Sequence, residues 1–231
     1  MNNHTDFILS PITNILKDVV SASAGIGSGI ETFPLCDYIM QSVFLKMTGF
    51  QEQKMKCICW ELATNDYEYR RALLADEDKL GECSSFKAKN NVYKRLIAKT
   101  AVLDDVDKRR ILSKTFTFIK ETFTDTNLSI WGERGFAWFI KHHKKFIKIS
   151  HFANQNNLIE SCLKYDLLYN HRNRCAHNTQ SYQQNLPTLN TLISKDYIYE
   201  TYFIRFTVLI LIDEIFIELY KKYLNTINDA L

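Results

Sequence analysis

The amino-acid sequence predicts an all-α protein. Only 7 Gly and 3 Pro occur in 231 residues, too few for the many tight turns that an all-β protein needs. Apolar residues recur at helical spacing over long segments that contain neither residue. The apolar fraction of 46% provides for a sizeable core, and 15 Phe and 12 Tyr indicate a bulky core or an interface.

The first 90 residues divide into three parts. Residues 1–30 predict a leader or flexible segment, because the stretch "SASAGIGSGI" is small and featureless. From about Leu35 to Ala63, apolar residues at i, i+4 spacing predict a long helix that Gly49 could kink or interrupt. Residues 64–90 are more polar and predict a short helix and a loop.

The remaining chain predicts further helices joined by polar connections. Their expected extents are about 91–99, 112–123, 132–152, from near 157 into the motif described below, and 196–224. The segment 178–190 contains Pro187 and predicts a polar connection. We therefore expect one helical domain over 31–231, with 106–231 as its core bundle.

Composition and charge exclude several classes of protein. The net charge of +3 does not by itself mark a nucleic-acid binder. The 6 Cys form no CxxC pair, so we expect reduced thiols and neither a metal nor a cofactor. The N-terminus lacks a signal-peptide pattern, and charged residues interrupt the most apolar stretch, 202–219. These observations predict a cytoplasmic protein without a membrane span.

One short segment concentrates polar and cationic side chains behind an apolar, tyrosine-bearing run. It reads "HRNRCAHNTQ" and covers residues 171–180. At ~100° per residue, one polar line runs along this predicted helix, and a second line lies beside it. The first line holds Asp166, Asn170, Asn173 and His177, and the second holds Cys162, Tyr165, Tyr169 and Arg172. A polar line on an otherwise apolar helix indicates a lined cleft.

The residue types in this segment suit RNA cleavage without a metal. His177 can transfer a proton near neutral pH. Arg172 offers a planar, permanently charged fork that matches phosphate. The two positions are ~140° apart on an ideal helix, so convergence needs a helix end or bend near His177, or a two-fold dimer. His171 is expected to be incidental, and Arg174 is either a further phosphate contact or a solvated side chain.

The six residues "RNRCAH" (172–177) resemble the R-x4-H signature of the HEPN superfamily, whose common form is Arg-Asn-x-x-Ala-His. Arg172, Asn173, Ala176 and His177 match that form. The resemblance implies a HEPN-like helical bundle, here with additional N-terminal helices, acting as a homodimeric, metal-independent endoribonuclease. It further implies that Arg172 and His177 are catalytic with support from Asn173. Relatives of this kind serve as toxins of toxin–antitoxin systems or as antiphage defence effectors, so an antitoxin or defence partner is implied as well.

Other residues have both a functional and a structural interpretation. Asp166 and Asn170 could orient His177 or be ordinary exposed positions. A basic stripe on the 132–152 helix could follow an RNA backbone or be a solvated face; it consists of Lys141, Lys144, Lys145 and Lys148. Tyr165 and Tyr169 could stack on bases or belong to the core. The alternative function is a non-catalytic helical module for dimerisation or for binding a partner or a nucleotide.

Overall fold

The computed structural model describes residues 3–75, 83–131, 133–176 and 201–229. Within these ranges the secondary structure is helical, with one isolated antiparallel bridge between Phe152 and Ile159, so the all-α prediction is confirmed. The α-helices in the described ranges are α1 (Asn3–Leu9), α2 (Thr13–Ala22), α3 (Phe33–Asn65), α4 (Tyr67–Ala75), α5 (Phe86–Thr100), α6 (Asp105–Phe123), α7 (Asn127–Trp131), α8 (Glu133–Phe146), α9 (Tyr165–Ala176) and α10 (Tyr202–Asn228). Short 3-10 turns lie at Ser23–Gly25, Ile30–Thr32, Ile149–His151 and Ser161–Leu163.

The N-terminal segment differs from the expected leader. Residues 3–22 form α1 and α2, which contact α3, and α1 also contacts α10. Four side chains at i, i+4 spacing are buried in the main core: Ile8, Ile12, Leu16 and Val20. The small residues that suggested flexibility occupy only the connection from Ser23 onward, while the apolar spacing before them already indicated a packed helix.

The long helix α3 confirms the pattern expected from about Leu35 to Ala63. It runs for 33 residues without a break at Gly49, and Pro34 lies in its first turn, where a missing N–H costs nothing. Its buried face includes Cys36, Phe44 and Ile58. The helix contacts α1, α2, α9 and α10.

The core centres on α10, which is buried on nearly every face. Residues 203–217 have relative exposures below 9%, including Arg205, Asp213 and Glu214. The helix was expected from about 196 but begins at Tyr202, and 196–200 lie outside the described residues. Among the described helices, none has the length and hydropathy that a membrane-spanning segment requires.

A buried ion pair joins three parts of the chain. Lys54 of α3 donates from Nζ to Asp213 Oδ1 of α10 at 2.8 Å, and both side chains are almost fully buried. The Ile12 amide donates to the second oxygen of the same carboxylate at 2.9 Å. Because burial penalises the charged forms, it lowers the pKa of Lys54 and raises that of Asp213. The attraction between the two charges acts against both shifts.

Several helix boundaries differ from the sequence predictions. The helix expected over 112–123 begins earlier, at Asp105. The helix expected over 132–152 ends at Phe146, and the one expected from near 157 begins at Tyr165. Between them, backbone hydrogen bonds close a turn, and Lys164 adopts a left-handed conformation with φ 50°. The short helix expected over 91–99 begins earlier, at Phe86, because Ser85 caps it by accepting from the Ala88 amide at 3.2 Å. The connection predicted over 178–190 lies outside the described residues.

Candidate functional site

Residues 172–176 of the motif lie on α9, a helix held against the core by its apolar side. Tyr165 and Leu168 are buried, and α9 contacts α3 and α5. The Tyr165 hydroxyl donates to the Ser84 carbonyl at 3.1 Å, and burial raises the pKa of this phenol. Tyr165 is therefore a core residue and not a platform for a base. Tyr169, one turn later, is half-buried.

His171 anchors α9 to the neighbouring helices. Its Nε2 lies 3.0 Å from the Tyr202 hydroxyl and 3.4 Å from Cys175 Sγ. Its ring packs on Phe44, with the centroids 5.3 Å apart. Burial, with Arg205 and Arg174 nearby, lowers its pKa to about 2. An imidazole with so low a pKa is too weak a base to accept a proton from a substrate hydroxyl, and with its buried contacts this assigns His171 a structural role.

Arg172 lies at the edge of a small pocket between α3, α5 and α9. Its guanidinium donates to Asn173 Oδ1 at 3.1 Å and lies 3.6 Å from a Glu52 oxygen. The side chain is 26% exposed, so the fork is held by two neighbours and still reaches solvent. The support role expected for Asn173 stays a prediction.

A buried lysine faces the same pocket. The pocket has a volume of about 10 Å³, the room of a single water molecule, and Gln51, Lys89, Tyr169 and Arg172 are among its lining residues. Lys89 is 2% exposed, and within the described residues no carboxylate lies within ion-pair distance of its amine. Burial lowers the pKa of Lys89 to about 8, and the Arg172 guanidinium contributes to that decrease. Two cations thus converge on one pocket.

A buried acceptor lies beside these cations. Gln51 is fully buried, and its Nε2 donates to the Leu209 carbonyl at 2.9 Å. Its Oε1 has no hydrogen-bond partner among the described residues. Glu52 lies 3.6 Å from Arg172, but it also pairs with Lys56 at 3.0 Å, so Arg172, Lys56 and Lys89 outnumber this carboxylate. Such a surplus favours binding of an anion at the mouth of the pocket.

The two polar lines predicted on this helix lie in different surroundings. Tyr165, Tyr169 and Arg172 do line one pocket, but Cys162 precedes the helix in a 3-10 turn and does not share that face. On the other line, Asp166 and Asn170 are exposed and Asn173 is half-buried. Arg174 is exposed as well. His177 lies outside the described residues, so an orienting role for Asp166 or Asn170 stays a prediction.

The predicted basic stripe is only partly helical. Lys141, Lys144 and Lys145 are exposed on α8, but Lys148 follows the end of that helix and precedes the next 3-10 turn. All four side chains face solvent. This arrangement is compatible with the solvated face and with an RNA contact, so the two interpretations remain open.

Sequence reasoning missed Lys89, Gln51 and Glu52. A signal for Lys89 was present, because it falls at i, i+3, i+4 and i+7 with Val92, Tyr93 and Leu96, all of which are buried. A cation on the apolar stripe of a helix indicates a buried charge with a specific role. Gln51 occupies a similar position on α3, one turn after Met47.

Comparisons with known proteins leave the family open. No family model matches the chain, and neither a curated protein nor a solved structure resembles it at a significant level. The helical fold and the residues around Arg172 are therefore the basis for a functional proposal.

Proposed function

We propose that this protein is a metal-independent endoribonuclease of the HEPN type. The R-x4-H pattern over 172–177 supports the proposal, and so does the position of residues 172–176 on a helix, within a described part of the chain that is all-α. The observation that carries it is the convergence of Arg172 and Lys89 on one pocket, with Asn173 bonded to the Arg172 guanidinium. A surplus of positive charge with a pre-oriented arginine fork suits a phosphodiester.

The proposed reaction assigns a separate task to each residue. The 2′-hydroxyl of the substrate loses its proton and attacks the adjacent phosphorus, and the bond to the 5′-oxygen of the next nucleotide breaks. The products are a 2′,3′-cyclic phosphate and a 5′-hydroxyl. His177 transfers the proton, Arg172 holds the phosphate and stabilises its developing charge, and Asn173 orients Arg172.

The phosphate is proposed to bind at the mouth of the pocket. The cavity itself holds no more than a water-sized group, whereas the partly exposed Arg172 fork reaches solvent. Lys89 then acts from behind through its charge, without contacting the substrate. The exposed Arg174 and the lysines of α8 are candidates for additional backbone contacts that carry no sequence preference.

A homodimer is part of the proposal. Three large apolar side chains before and within the first turns of α3 are strongly exposed: Ile30, Leu35 and Tyr38. Asp37, next to Tyr38, lies close enough to α9 for its carboxylate to act on Cys175. Burial raises the pKa of the Cys175 thiol, and the Asp37 carboxylate adds to that rise. An apolar surface beside the motif favours a second copy there, which would bring two motifs together.

The decisive experiment is cleavage of total cellular RNA in excess EDTA. We expect the wild type to produce 2′,3′-cyclic phosphate ends, and His177→Ala and Arg172→Ala to lose at least ~100-fold in rate. His142→Ala and Arg109→Ala are matched controls on α8 and α6 and should cleave normally. Each variant is checked for an unchanged helical spectrum.

The alternative of a non-catalytic interaction module predicts a different result. In that case none of the proteins cleaves RNA, while sedimentation still reports a dimer that His177→Ala leaves intact. Cleavage that His177→Ala retains, or that EDTA abolishes, would also overturn the proposed mechanism. A role as a toxin or an antiphage effector in the cytoplasm would follow only from cleavage, and is tested by whether expression of the wild type, but not of His177→Ala, arrests growth.

A further inference from the structure

A second cluster of reactive side chains lies in the turn before the motif helix. His151, Glu160 and Cys162 each offer one ligand atom, and the imidazole nitrogen, carboxylate oxygen and sulfur all lie within 4.8 Å of one another. The three residues are 9 and 2 positions apart in the chain, a spacing that follows no familiar zinc signature. The fold, and not the sequence, brings them together.

The backbone of this turn is held in place on both sides. The Glu160 amide donates to the His151 carbonyl at 2.8 Å, and the Ala153 amide donates to the Leu158 carbonyl at 2.7 Å. The apolar residues of the turn are buried in the main core: Phe152, Ala153, Leu158, Ile159 and Leu163. The three ligand-bearing residues are therefore carried by a preorganised frame, which reduces the conformational cost of binding an ion.

Glu160 also has the supporting contact that metal-binding carboxylates commonly show. Asn154 donates from Nδ2 to Glu160 Oε1 at 3.2 Å and to the Ser150 carbonyl at 2.7 Å. The Asn154 carbonyl in turn accepts from the buried Tyr93 hydroxyl at 2.7 Å. This series of hydrogen bonds fixes one Glu160 oxygen and leaves the other to an ion.

We infer that His151, Glu160 and Cys162 form a binding site for Zn²⁺. A nitrogen, an oxygen and a sulfur ligand together suit zinc, whereas Mg²⁺ and Ca²⁺ prefer oxygen alone. All three side chains are half-buried, so an ion can enter from solvent and keep a water as its fourth ligand. Three ligands of one small turn would then be tied together directly before α9.

One contact competes with the ion. The Lys148 amide donates to His151 Nδ1 at 3.3 Å, which leaves the proton of the neutral ring on Nε2. Zinc binding at Nε2 moves that proton to Nδ1 and breaks this hydrogen bond. The bond is long and exposed, so water can replace it at small cost.

The test uses the full-length protein after removal of metals with a chelator. Co²⁺ serves as the first probe, because a tetrahedral site with a thiolate gives intense visible bands and a sulfur-to-metal charge-transfer band. Zn²⁺ is then titrated against the Co²⁺ complex. We expect one equivalent of Zn²⁺ to displace Co²⁺ and to raise the thermal midpoint of unfolding, while Mg²⁺ does neither.

Variants assign the ligands. Cys162→Ser should lose the charge-transfer band, and His151→Ala and Glu160→Gln should each weaken Zn²⁺ binding by more than the ~10–100-fold typical of a supporting residue. Cys57→Ser, which removes a half-buried thiol of α3, should bind like the wild type. A charge-transfer band that persists in Cys162→Ser, or equal Zn²⁺ affinity in all four variants, would overturn the inference. The result is independent of the ribonuclease proposal, since that activity is measured in excess EDTA.

Discussion

At the residue scale, Lys89 is the most informative side chain of the candidate site. A lysine that is 2% exposed and has a pKa lowered to about 8 by burial destabilises the folded protein. The unfolded state binds the proton more strongly between pH 8 and 10.5, so the penalty is complete below pH 8 and disappears as the pH rises toward 10.5. Retaining such a group is common where a charge serves function.

We therefore predict opposite effects of Lys89→Met on stability and on function. The free energy of unfolding at pH 7 should rise by about 1–3 kcal/mol, because an apolar side chain of similar size replaces a buried charge. RNA cleavage should fall about tenfold or more, through loss of positive charge behind Arg172. Chemical denaturation and the EDTA cleavage assay measure the two quantities. Unchanged cleavage in a stabilised variant would show that Lys89 has no part in the reaction.

His171 gives a prediction of the same pH sense in a lower pH range. Because burial lowers its pKa to about 2, the folded protein leaves it neutral while the unfolded chain protonates it below about pH 6.5. The contribution of His171 to the free energy of unfolding is therefore complete above pH 6.5. It falls by about 1.4 kcal/mol per pH unit as the pH drops below that value.

The variant His171→Gln isolates this contribution. Glutamine cannot titrate, yet it can still bond to the Tyr202 hydroxyl. Denaturation of both proteins at pH 7 and pH 5 should show a shallower loss of stability in the variant, by about 1–2 kcal/mol. Equal losses in the two proteins would mean that His171 is protonated in the folded state.

At the element scale, α1 and α2 provide the clearest test of the fold. If residues 3–22 pack as described, Leu16→Ala should lower the free energy of unfolding by about 2–5 kcal/mol through loss of buried apolar contacts. Lys17→Ala, at the exposed neighbouring position, should change it by less than about 0.5 kcal/mol. Equal and small effects would be the result expected of a flexible leader. Urea denaturation followed by circular dichroism distinguishes the two.

The sequence predicted most helices because periodicity is a local property. The i, i+4 pattern located α3 and α10, and Arg172, Tyr165 and Tyr169 were correctly expected on one face. The start of α9 was predicted too early because residues 149–163 contain apolar positions that serve a hydrogen-bonded turn and not a helix. Local spacing cannot distinguish these two uses.

The candidate site was less predictable because its neighbours come from distant segments. Lys89, Gln51 and Glu52 meet Arg172 only after α3, α5 and α9 have packed together. The same holds for His151 with Glu160 and Cys162, whose approach depends on the bridge between Phe152 and Ile159. Pairings of this kind follow from tertiary packing, which a single sequence does not display.

At the scale of the whole molecule, the buried Lys54–Asp213 pair couples α3, α10 and the start of α2. Removing one partner leaves an uncompensated buried charge, so Lys54→Met alone should cost about 3–5 kcal/mol. The double variant Lys54→Met/Asp213→Leu removes both charges and should recover most of that loss, leaving the Ile12 amide as the remaining unpaired group. A double-mutant cycle by denaturation measures the coupling. Additive losses would show that the pair is not coupled energetically.

The hydrogen bond between the Ile12 amide and Asp213 also implies a delay during protein synthesis, because Ile12 is made long before Asp213. Its partners are 201 positions apart, and a ribosome that adds ~5–20 residues per second needs about 10–40 s to cover that distance. During that interval α1 and the start of α2 have been translated but lack α10, which α1 contacts in the folded protein. The nascent chain must therefore be kept from aggregating until α10 emerges, and chaperone supply should influence the yield of this protein more than its equilibrium stability would suggest.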